Sequence, residues 1–116
     1  MTAEIANIWQ PIHFMPEGFQ AGWGDALEAG TAKRDPELGD LEIIAGGTVA
    51  LGTGPVVDGA REAVLNLTGF YVGGMGARDK NFYNDYAKRL GFEEAAVKIQ
   101  DLYLAGRKDG RIVRFR

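Results

Sequence analysis

Three glycines in four residues, Gly73, Gly74 and Gly76, stand in the stretch FYVGGMGARDKNFYND, ahead of Arg78, Lys80 and Asn81. Backbone amides in a glycine-rich turn can cradle a phosphate, and a nearby guanidinium suits such a site. The spacing fits neither common phosphate loop. In Gly74-Met75-Gly76-Ala77-Arg78-Asp79, Asp79 occupies the place of the last glycine of the dinucleotide fingerprint, and the stretch follows a helical pattern rather than a strand. Gly54 to Gly59 has P-loop spacing, but Ala60-Arg61 follows where Lys-Ser/Thr is required. Two readings remain open. The plainer is a bend joining two helices, with positive φ at Gly73 or Gly74; the other is an anion-contacting edge of a pocket.

His13 is the single histidine, and it closes an apolar segment, where α/β folds place their ligands. A structural role competes with a catalytic one there. With no cysteine and one histidine, thiolate chemistry, disulfides and His-rich metal sites are excluded. The acids Asp25, Glu28, Glu93, Glu94 and Asp101 fall on polar helix faces and form no converging pair. Trp9 and Trp23 read most simply as core, and Tyr71, Tyr83 and Tyr86 as packing. No nucleophile–base–orienter set is legible.

The elements that position these residues follow from periodicity. Ile5–Phe14 reads as a buried strand interrupted near its end by Pro11. Pro16 opens a glycine-rich helix to about Arg34, with Phe19, Trp23, Ala26 and Leu27 on one face, stopped by Asp35-Pro36. Leu41–Gly52 is nearly all apolar, as expected of a parallel strand covered on both faces. Gly54-Pro55 begins a second helix with Val56, Val57, Ala60, Ala63, Val64 and Leu67 aligned. A third helix spans about Asn81–Leu90, ended by Gly91, and a fourth Glu93–Ala105, ended by Gly106. The class is α/β, with two parallel strands and about four helices. Two strands make a poor sheet, so the chain is expected to oligomerise, as a homodimer for example, or to be a slice of a larger fold.

Composition sets outer bounds. A length of 116 residues allows one domain at most, and a net charge of −3 signals neither nucleic acid nor membrane as a partner. No apolar run reaches a membrane span and the start lacks a signal-peptide pattern, so a cytoplasmic location is the expectation. Arg107–Arg116 is basic and reads as a solvated tail.

Tyr71–Lys108, YVGGMGARDKNFYNDYAKRLGFEEAAVKIQDLYLAGRK, resembles a segment of the luciferase-like flavin monooxygenase superfamily, in its deazaflavin-dependent oxidoreductase branch. WQPIHFMPE, ALEAGTAKRDP and LEIIAGGTVALG upstream fall in that family's order, so the resemblance covers residues 1–108 and leaves 109–116 outside. It implies part of a (β/α)₈ TIM barrel, with Ile5–Phe14 as strand five, Leu41–Gly52 as strand six, and the later helices in the insertion before strand seven. His13 stands where the family more usually has phenylalanine or tryptophan, and Asn7-Ile8 replaces a usual Asp-Gly.

The resemblance implies hydride transfer on a small-molecule substrate with coenzyme F420 (deazaflavin), or alternatively FMN. Trp9 and His13 would lie at the barrel mouth, and Gly73, Gly74, Met75, Gly76 and Arg78 at the pocket edge. Strands one to four and the phosphate-holding segment before strand five have no counterpart in this sequence. The chain alone is therefore expected to be incomplete and inactive. The alternative is a small non-catalytic α/β interaction module that oligomerises.

Overall fold

The computed structural model describes Met1 to Arg107 as an α/β chain in two compact units, Met1–Gly47 and the residues from Thr48 onward. The basic tail read at 109–116 lies outside the described residues.

The first unit holds the sheet. A short helix α1 (Thr2–Ile5) leads into strand β1 (Ile8–Trp9), which pairs in parallel with β2 (Glu42–Ile43). Parallel pairing is as expected; the lengths are not. Ladder bonds such as Ile44 N–H to Trp9 O at 2.9 Å and Glu42 N–H to Asn7 O at 2.9 Å cover only two residue pairs. A two-stranded ladder gives each backbone one partner edge, and it stops where the chains diverge. The expected start of strand one is helical at Thr2–Ile5, and the expected end of strand two is open chain, with Val49 82% and Leu51 87% exposed.

The single helix expected over Pro16–Arg34 is broken into a 3₁₀ turn at Pro16–Gly18, a π-helical turn at Gln20–Gly24, and helix α2 (Asp25–Thr31). Glycines at 18, 22 and 24 weaken a regular helix there. Ala3 of α1 is buried and packs on α2 at Gly30. Arg34 holds the unit together. It donates from Nη1 to Ala3 O (3.1 Å) and Ala6 O (2.7 Å), from Nη2 to Leu38 O (3.3 Å), and from Nε to Gly39 O (2.6 Å).

The second unit is helical: α3 (Pro55–Gly74), α4 (Phe82–Arg89) and α5 (Glu93–Leu104). Its core is Val72, Ala96 and Ile99, with Ala87 against them. Pro55 at the first position of α3, Gly91 with φ 92° after α4, and Gly106 with φ 83° after α5 agree with the sequence signals. The stripe expected to face inward on α3 does not, since Val56 is 73% and Leu67 52% exposed. The covered face is set by Val72 and Gly73 near the helix end. A helix apolar on opposite sides cannot announce from its period which side meets its neighbour. This architecture is mixed α/β with a two-stranded parallel sheet. Among the described residues no helix is long and apolar enough to cross a membrane.

Candidate functional site

The carboxyl end of β1 carries the densest set of candidate groups. Trp9 packs edge-on against Trp23 with ring centroids 5.2 Å apart, and tilted against Phe19 at 6.3 Å. Phe19 in turn meets Phe14 at 5.5 Å. All four rings are half-buried, each leaving part of its surface open. The sequence placed Trp9 and Trp23 as core; they are partners at the strand end. Phe19 stands at the start of the π-helical turn and Trp23 lies within it. Turns of this kind are rare and recur at functional sites.

His13 follows on the turn after β1, with φ 51°. A side-chain-bearing residue in the left-handed region costs about 1–2 kcal/mol and is kept only where its surroundings hold it. Burial lowers the pKa of its imidazole from the ordinary histidine value, so the ring is neutral at pH 7. A neutral ring can donate one hydrogen bond and accept another, and it contributes no positive charge to the strand end.

In the second unit the glycines have a different role from the expected bend. Gly73 and Gly74 are the last two residues of α3 and neither has positive φ. A Cβ at Gly73 would lie 2.7 Å from Tyr103 Cβ, and one at Gly74 would meet the end of the same ring. These glycines let α5 lie close against α3, and Tyr103 occupies the space beside them. Gly76 admits Lys80 O in the same way, within the turn closed by Lys80 N–H to Ala77 O at 3.1 Å. Met75 is 45% exposed. Arg78 pairs with Asp101 of α5 across the surface, so its guanidinium is directed to a carboxylate of this chain.

Two buried asparagines that pattern reading passed over pin the ends of α3, α4 and α5. Asn81 Oδ1 accepts from Tyr83 N–H (3.0 Å) and Asn84 N–H (3.1 Å), capping α4, while its Nδ2 donates to Tyr71 O and Val72 O at 3.0 Å each. Asn84 Nδ2 donates to Val72 O at 3.1 Å and Ala96 O at 2.8 Å. An asparagine just before an apolar helix is a legible cap signal for Asn81; nothing in the sequence marks Asn84. Among the described residues no group of three His, Cys, Asp or Glu side chains is placed to hold a metal.

Comparison with known proteins yields one informative likeness. The chain is 32% identical over 115 residues to a Mycobacterium tuberculosis protein provisionally named a coenzyme F420-dependent oxidoreductase. The match takes in 94% of this chain but only 31% of that relative, so the chain spans about a third of the relative's length. No family profile and no solved structure matches the chain.

Proposed function

We propose that this chain is a segment of an oxidoreductase of the luciferase-like class that transfers hydride with deazaflavin (F420) or flavin, and that it is inactive in isolation. The observation that carries the reading is the end-to-end likeness to the F420-named relative, over 94% of the chain. The parallel β1–β2 pair, with aromatic groups beyond the carboxyl end of β1, is what a slice of a (β/α)₈ barrel would present.

The residues at the strand end fit one part of such a coenzyme. Trp9, Phe14, Phe19 and Trp23 offer apolar ring surface to a planar heterocycle, and neutral His13 offers a polar contact. They offer nothing to the coenzyme's phosphate, because Arg34 is engaged with four carbonyls. When bound, the coenzyme supplies the hydride chemistry. This chain's share is to bind and orient the ring and to keep water from one side of it.

Titrating the purified chain with F420 and with FMN tests the reading. Ring association only well above micromolar concentration, with no turnover, is expected. Micromolar one-to-one binding or turnover would overturn the claim that the chain is incomplete. No association up to millimolar coenzyme would overturn the oxidoreductase reading and favour a non-catalytic α/β interaction module, which the exposed apolar stripe of α3 would also suit.

A further inference from the structure

The charge around the β1 strand end says which part of a ligand belongs there; the inference rests on the reading above. Met1–Gly47 carries eight carboxylates against two cationic side chains, Lys33 and Arg34. The guanidinium of Arg34 is committed to the carbonyls of Ala3, Ala6, Leu38 and Gly39. Glu17 and Asp25, both exposed, bracket the Phe19–Trp23 segment in sequence. A ligand anion arriving at these rings would meet like charge and no available guanidinium, over distances within the Debye length of a dilute buffer.

We propose that the Trp9–Phe14–Phe19–Trp23 cluster binds a planar aromatic group bearing no negative charge, and that it discriminates against an anionic substituent on that group. In an assembled enzyme the cluster faces the ring or an uncharged aromatic substrate, and the coenzyme's phosphate is held by residues outside Met1–Gly47. Neutral His13 is consistent with this, since it brings no cation to the site.

Riboflavin and FMN share ring and ribityl chain and differ by one phosphate, so the pair isolates the charge. The two tryptophans of the chain are Trp9 and Trp23, and quenching of intrinsic tryptophan fluorescence therefore reports on this cluster alone. At about 10 mM salt riboflavin is expected to bind several-fold more tightly than FMN, with the ratio falling toward one at about 0.5 M salt. Replacing Glu17→Gln and Asp25→Asn together, both at exposed positions, should narrow the gap without altering riboflavin binding. Phe19→Leu should weaken both ligands alike. Equal or tighter binding of FMN at low salt, or a gap insensitive to salt and to the charge variant, would overturn the proposal and leave the oxidoreductase reading standing. Failure of both flavins to quench would overturn the two together.

Discussion

Gly73 and Tyr103 share one space: the Cβ that glycine lacks would sit 2.7 Å from Tyr103 Cβ and 2.9 Å from its Cγ. Both Tyr103 atoms lie close to the backbone of α5 and cannot swing away without moving the helix. At Gly74 the neighbours are the far end of the same ring, which can rotate. Gly73→Ala should therefore destabilise the protein by about 1–3 kcal/mol despite alanine's better helix propensity, and Gly74→Ala by clearly less. Urea unfolding of the two variants checks this. Equal losses would mean that α5 adjusts as a body.

Asn81 bridges as well as caps, and two substitutions separate the roles. Asn81→Asp keeps the acceptor for Tyr83 and Asn84 N–H, but loses the donor to Tyr71 O and Val72 O and buries a carboxylate. Asn81→Ala loses both functions and should cost about 2 kcal/mol. If bridging matters, the aspartate variant falls as far as the alanine variant at pH 7. Stability near wild type would assign Asn81 to capping alone.

Arg34 reaches four carbonyls through a planar fork that lysine cannot reproduce. Arg34→Lys should cost about 1–2 kcal/mol. The loss should appear locally as faster amide exchange at Glu42 and Ile44, whose N–H groups bond to Asn7 O and Trp9 O. Unchanged exchange there would show that the β1–β2 ladder does not depend on the clamp.

His13 makes stability depend on pH in a defined direction. Its folded pKa is lowered by burial, so near the ordinary histidine pKa the unfolded chain binds more protons than the folded one. The stabilisation is present above that pH and is lost as pH falls through the lowered folded value. The urea midpoint should drop between about pH 7.5 and 5.5. His13→Asn, which tolerates positive φ, should flatten that slope. A slope unchanged in the variant would assign it to carboxylates.

Residue types and spacing determined a good part of this protein. Pro55, Gly91 and Gly106 marked helix boundaries correctly, because proline and glycine act through the local backbone wherever they stand. Parallel pairing of the two apolar segments was likewise legible, since a helix-length connection favours it. The absence of cysteine closed off thiol chemistry. The tertiary structure alone decided the rest. Gly73 and Gly74 are permissive in a bend and in a close helix crossing, and only the position of Tyr103 distinguishes the two. The opposite apolar sides of α3 have the same period, so contact with α5 chose the buried one. Asn84 and Arg34 act through partners 12 and 28 residues away, at Ala96 and Ala6, and such partners have no signature in local sequence. Local rules read the chain one turn at a time, whereas burial and hydrogen bonding are settled between segments that meet only after folding.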